Sequence, residues 1–212
     1  MSIDSSARPD AVAAPGREVP DREERGARSS LMNQLRAGVL GANDGIVSVA
    51  AMVMGVAGAT TDSFAILVAG VAGLSAGALS MGVGEFVSVS AQRDSERALL
   101  ARSRATLGDR AEEVLGLDPD HLVNPWHAAW ASMGSFVLGA LVPLLVMVLT
   151  APDARVLATG GAVVLALVLT GVVSAKVGEA PVGRAVARVV AGGVVAMAIT
   201  YAIGMALGGS VA

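Results

Sequence analysis

Apolar positions run in long, nearly unbroken stretches, and the polar positions collect between them. Five stretches are long enough to cross a hydrocarbon layer of roughly 30 Å, which takes about 20 apolar residues as a helix: Ala37–Ala59, Phe64–Ala91, Trp126–Ala151, Val156–Ala175 and Val189–Leu207. Neither the alternation of a half-buried strand nor a repeat of fixed period is visible. The pattern predicts an all-α integral membrane protein with five transmembrane helices. Punctuation fits: Thr61–Asp62 caps the second span, Asn124 followed by Pro125 caps the third, and Pro152–Asp153 opens the fourth. Pro143 should kink the third span. Segments 60–62 and 151–155 leave room only for tight antiparallel hairpins. Trp126 and Trp130 fall where indole prefers the membrane–water boundary.

Composition agrees. Of 212 residues 54% are hydrophobic and only 16% charged, against about 25% charged in an ordinary soluble domain. Most of the charge sits in residues 1–36 and 92–125. This excludes a soluble globular enzyme, a disordered chain and, with no cysteine, a disulfide-stapled domain or a thiolate metal site. A net charge of −3 leaves no basic face for nucleic acid, and no phosphate-binding loop marks a nucleotide site.

Fourteen of the fifteen Lys and Arg lie before the first span, between spans two and three, or around the turn between spans four and five; Arg155 alone lies opposite. The positive-inside rule therefore places the N-terminus in the cytoplasm and the C-terminus outside. The expected organisation is a disordered cytoplasmic tail over 1–32, transmembrane helices 1 and 2 over 33–91, a short cytoplasmic helical segment over 92–125, and helices 3 to 5 over 126–212. Within the cytoplasmic segment, Arg93 to Arg104 reads as an extension of span two and Asp109–Leu115 as a second short helix. Arginine supplies 14 of the 15 basic residues amid abundant Ala, Val and Gly, a GC-rich coding pattern that points to a bacterial plasma membrane.

Two carboxylates lie inside spans, Asp44 and Glu85. An ionised group at a helix centre costs roughly 3 kcal/mol or more, and no basic residue within the spans offsets it. Each stands eight residues inward from an arginine, Arg36 and Arg93. If both arginines mark one membrane surface, antiparallel helices put the two acids at matching depth, where they can face each other. Met81, one turn before Glu85, adds a thioether on the same face. Carboxylate with thioether suits a first-row divalent ion better than Mg²⁺ or Ca²⁺, which want oxygen alone. Asn43-Asp44-Gly45 would be a turn in a soluble protein and predicts a loosened helix lining a polar cavity. Asn43, Ser48 and Ser88 are candidates to support the carboxylates; Ser48, Ser80 and Ser88 are equally able to bond back to their own helices. Gly73 and Gly77 form a close-packing pair. Met52, Met54, Met133, Met147, Met197 and Met205 read as packing residues. A single intramembrane acid is also met as a protonated structural group; two at one level beside a methionine favour an ion path.

Arg36-Ala-Gly-Val-Leu-Gly-Ala-Asn-Asp-Gly-Ile-Val-Ser48 and Ser80-Met-Gly-Val-Gly-Glu-Phe-Val-Ser-Val-Ser-Ala-Gln-Arg-Asp94 resemble the first- and second-span signatures of the vacuolar iron transporter (VIT) family. Asn124-Pro-Trp126 and Thr200-Tyr-Ala-Ile-Gly204 extend the likeness more weakly. The resemblance implies a five-helix homodimer in the bilayer, with an ion path at the subunit interface lined by Asp44, Met81 and Glu85, moving cytosolic Fe²⁺ or Mn²⁺ out in exchange for protons. The ion would be substrate, and no resident cofactor is expected. Many members carry a longer, Glu-rich cytoplasmic domain between spans two and three. Here that connection is 34 residues, with Glu96, Glu112 and Glu113 as a candidate remnant docking site and His121 as a candidate helper. A solvated elbow explains the same residues. Antiport follows if metal and protons compete for one pair of acids, because metal ligands must be deprotonated. The rivals are a passive cation channel, a non-transporting membrane scaffold or sensor, and a transporter of another substrate such as a neutral amine or small organic cation.

Overall fold

The computed structural model describes the backbone of residues 22–117 and 122–208, and side chains from Gln34 onward except at positions 109 and 113. Every regular element among these residues is helical: α1 (Arg22–Ala59), α2 (Ser63–Leu107), a 3₁₀ turn (Gly108–Arg110), α3 (Ala111–Leu115), α4 (Pro125–Leu149), α5 (Arg155–Val177) and α6 (Val182–Gly208). Five of them, all but α3 and the 3₁₀ turn, are long and apolar enough to cross a membrane. The chain is an all-α, five-span architecture. One end of the bundle carries the α2–α3 elbow; the other carries the α1–α2 and α4–α5 hairpins.

Local chemistry sets most of the boundaries. Asp62 Oδ1 accepts from the Phe64 amide at 2.9 Å and starts α2. Asn124 Oδ1 accepts from the Trp126 amide at 3.0 Å and starts α4, with Pro125 in the first turn. Both caps satisfy an amide the helix cannot. Three boundaries differ from expectation. α1 begins at Arg22, so residues 22–32, assigned to a disordered tail, are helical. α5 begins at Arg155 after a turn closed onto the Ala151 carbonyl, without a side-chain cap from Asp153. α6 begins at Val182, a full two turns before Val189, because Arg184 and Arg188 sit exposed on a helix that emerges from the apolar layer. Pro143 is buried inside α4, which continues through it.

α1 is the central helix, packed mainly on α4 and α6, and α2 lies along α4. Lipid rewards apolar burial little, so close backbone approach holds such bundles together. The glycines show where. Gly41 and Gly45 of α1 lie against the Ser132 and Phe136 carbonyls of α4, and Gly139 lies against Ala42. At the hairpin end Gly204 meets the Gly55 carbonyl and Gly58 the Tyr201 carbonyl, binding α6 to α1. Gly73 and Gly77, expected to bring two helix backbones together, instead make room for side chains, the Met52 thioether and the Phe136 ring. α5 buries one stripe at every fourth residue, Arg155, Thr159, Val163, Leu167, Gly171 and Ala175, and turns Leu157, Leu165 and Leu169 outward. The core joins Val49, Val53, Ile66, Phe136, Met147 and Leu167.

Beyond the bundle, α2 continues to Leu107, as the charge pattern from Arg93 to Arg104 implies. α3 folds back on it, burying Leu100 and Ala111. The expected second short helix is thus the 3₁₀ turn plus α3.

Candidate functional site

Asp44 stands midway along α1 and is half-buried; Ser48, one turn later and exposed, donates its hydroxyl proton to Asp44 Oδ1 at 2.9 Å. α1 runs through Asn43-Asp44-Gly45 as unbroken helix, so the expected loosening does not occur. The turn-forming chemistry of these residues is overridden by lipid-facing helix formation, where every backbone group needs an intrahelical partner. Gly45 serves a different purpose: its missing side chain lets α4 approach to the Phe136 carbonyl. Asn43 Oδ1 is buried without a hydrogen-bond partner, and Asn43 makes no bond to Asp44.

Met81 and Glu85 are both half-buried on α2, and Met81 packs against the bundle core. Gly77 and Gly82 on the same stretch touch α4 at Phe136 and Met133, which turns this part of α2 toward α4. Glu85 has no hydrogen bond or ion pair among the described residues. Ser88 is exposed and makes no bond to Glu85.

The expected matching depth of the two acids does not hold. Gly73 meets Met52 and Gly70 meets Val53, so antiparallel α1 and α2 are level where their residue numbers pair in this way. That register continues to bring Asp44 level with Met81, leaving Glu85 about one turn, ~6 Å, nearer the elbow. The arginine ruler misleads because the same register puts Arg36 level with residues 87–89, a turn or more short of Arg93, so the two arginines are not at one depth. Along the bundle axis the three residues therefore form a staggered ladder, Asp44 at the level of Met81 and Glu85 about a turn away.

At the elbow, Glu112 Oε1 accepts from Arg104 in an ion pair, and Glu96 Oε1 accepts from Gln92 Nε2 at 2.9 Å. Glu96 and Arg104 are two turns apart on α2, about 12 Å, so Glu96 and Glu112 are held apart. The Glu113 side chain and all of His121 lie outside the described residues. Among the described residues no three of His, Cys, Asp or Glu gather closely enough to hold a metal ion. Nearby, the Phe86 and Trp126 rings pack at a tilt of 51° with centroids 4.6 Å apart, tying α2 to the start of α4. Trp126, Trp130 and His127 are all exposed there.

Comparison with known proteins bears on the family to which the chain belongs. The VIT family model matches residues 35–115 and 106–205. A rice (Oryza sativa subsp. japonica) protein named vacuolar iron transporter homolog 1 is 48% identical over 170 residues, 80% of this chain and 72% of the relative. Arabidopsis thaliana vacuolar iron transporter homolog 1 is 42% identical over 189 residues, 89% and 90% of the two chains. Glycine max VIT-like transporter 1b is 43% identical over 177 residues, 83% and 77% of the two. These relatives are plant proteins, two of them named for the vacuole, and they lend no support to a bacterial plasma membrane. With both signatures inside the matched regions and five spanning helices in place, the chain belongs to the VIT family, whose members are multi-pass membrane transporters and not enzymes.

Proposed function

We propose that this protein carries a divalent transition metal, Fe²⁺ or Mn²⁺, out of the cytosol in exchange for protons, along a path lined by Asp44, Met81 and Glu85. The observation that carries the reading is the pair of carboxylates within membrane-spanning helices, neither of them in an ion pair among the described residues. Isolated acids at this depth are costly and are retained where a cation or proton visits them. Their relatives' names speak of iron; the ladder of two carboxylates and a thioether suits Fe²⁺ and accepts Mn²⁺.

In this reading the elbow end faces the cytosol. A metal ion entering there meets Glu85 first, then the level shared by Met81 and Asp44. Binding displaces protons from the acids, and after the ion leaves at the hairpin end protons return to them. Metal and proton alternate on the same oxygens, which couples the two fluxes without any nucleotide.

A second copy of the chain completes the path. Three ligating residues on one chain fall short of a metal's usual coordination, and their stagger leaves open positions. α2 offers a docking face: Ala72, Ala76, Ser80, Gly84 and Ser88 recur at every fourth position and are all exposed, the small-residue spacing through which membrane helices approach closely.

Purified protein in liposomes tests the proposal. With an acid lumen, Fe²⁺ and Mn²⁺ should enter and the lumen should turn alkaline in step, whereas Asp44→Asn should do neither. Metal entry with no change in lumen pH would mean a channel and overturn the exchange. Unimpaired entry through Asp44→Asn would remove the site.

A further inference from the structure

α4 forms a third wall beside the ladder, and it carries Met133, a packing residue by its sequence pattern. Gly82 lies between Met81 and Glu85 on α2. A β-carbon at Gly82 would lie 3.4 Å from Cβ and 3.5 Å from Sδ of Met133. Met133 of α4 thus sends its thioether to the one stretch of α2 that carries both proposed ligands, at their level in the bundle. Met133 and Met81 are both half-buried against the core. A second, independent feature lies next to it. Ser132 is completely buried, its carbonyl rests against Gly41, three residues before Asp44, and its hydroxyl has no hydrogen-bond partner. A buried hydroxyl without a partner costs about 1–3 kcal/mol, so α4 carries an unpartnered hydroxyl at Ser132 next to the thioether that Met133 sends toward α2.

We infer that Met133 is a second thioether donor to the transported ion and sets which divalent ion the path prefers. The inference rests on the transporter reading above. Two thioethers favour softer ions over harder ones: Fe²⁺ gains over Mn²⁺, and Cd²⁺ gains over both. Gly82 is buried, and the Met133 side chain lies within ordinary contact distance of the place a β-carbon would take there.

The test is uptake by proteoliposomes of wild type, Met133→Leu, Met133→Gln and Asp44→Asn, with Fe²⁺ and Mn²⁺ as substrates and Cd²⁺ as inhibitor. Leucine keeps the apolar bulk and removes only the sulfur; glutamine keeps the length and offers oxygen. The expected result is a rise of about threefold or more in KM for Fe²⁺ in Met133→Leu with KM for Mn²⁺ little changed, and Cd²⁺ inhibition weakened about tenfold. Met133→Gln should shift the Fe²⁺/Mn²⁺ ratio further toward Mn²⁺. If Asp44→Asn is inactive while both Met133 variants keep the wild-type ion preference and Cd²⁺ sensitivity, Met133 is packing alone and the inference fails with the transporter reading intact. If wild type itself moves no metal, the transporter reading fails and takes the inference with it. Should Met133→Leu not fold, the glutamine variant and Cd²⁺ inhibition of wild type decide: a Cd²⁺ affinity no greater than that for Mn²⁺ overturns the assignment.

Discussion

The Ser48 hydroxyl donates to Asp44 Oδ1 at 2.9 Å, one turn further along the same helix. The bond leaves the other carboxylate oxygen available, and Ser48 itself is exposed. It fixes the carboxylate's orientation on α1 without neutralising it. Asp44→Asn keeps shape and hydrogen bonding but removes the charge a divalent ion needs, so transport should fall by at least two orders of magnitude, on the order of 3 kcal/mol or more. Ser48→Ala should lose only the bond, worth about 0.5–1.5 kcal/mol, and raise KM roughly two- to tenfold. Initial rates of Fe²⁺ uptake at varied concentration separate the two.

Close backbone approach predicts where alanine is tolerated. A β-carbon on Gly45 would collide with the Phe136 carbonyl, which cannot step aside as a flexible side chain would. Gly45→Ala should destabilise the bundle by about 1–3 kcal/mol, seen as a lower thermal midpoint in detergent. Gly84 has nothing within 4 Å in the single chain. Gly84→Leu should therefore leave the midpoint of the isolated chain nearly unchanged while it breaks association and transport together. Mass measurement in detergent beside the uptake assay reads this outcome, and an intact dimer in Gly84→Leu would remove α2 from the interface.

The contrast between these two glycines shows what sequence can convey. Span number, the Asp62 and Asn124 caps, the α2 extension and the family signatures are legible because each depends on chemistry within a few residues. Asn43-Asp44-Gly45 misled for the same reason: its local preference for a turn is real, but lipid and the α4 backbone decide against it. The relative depth of Asp44 and Glu85 depends on helix register, which is set by Gly70, Gly73, Met52 and Val53 packing between helices. No single-helix ruler reports it. Met133 was indistinguishable from the other methionines until Gly82 of a distant span was placed against it. A glycine next to Met81 is the one signal in the sequence, and among 26 glycines it does not stand out.

The turn between α5 and α6 holds a correctable strain. Glu179 has φ 50°, a left-handed conformation that favours glycine. It closes α5 with the Ala180 amide donating to the Ala175 carbonyl at 2.9 Å, after Gly178 has donated to Ser174 at 3.0 Å. This is the glycine-terminated closure common at helix ends, with the glycine one place early. Glu179→Gly should raise stability by about 1 kcal/mol and leave Fe²⁺ uptake unchanged. A lowered midpoint would show that the glutamate side chain compensates for its backbone.

At the hairpin end, Arg155 and Thr159 are 3% and 0% exposed, consecutive on the buried stripe of α5. Arg155 Nη1 donates to Ser63 Oγ at 3.2 Å, joining the first residue of α5 to the first of α2. Thr159 presents a hydroxyl with no partner. The two polar residues therefore behave oppositely when removed. Thr159→Val replaces the orphan hydroxyl by a methyl of the same shape and should be neutral or stabilising by about 1 kcal/mol. Ser63→Ala withdraws the acceptor from a buried guanidinium and should destabilise by about 1–3 kcal/mol, since a buried charge gains most from the bonds it keeps. Thermal midpoints of the two single variants check the signs, and the double variant should be additive within ~0.5 kcal/mol unless the two hydroxyls share an unseen partner. A stability loss in Thr159→Val would itself mean that the hydroxyl binds something, most simply a water bridging to Arg155.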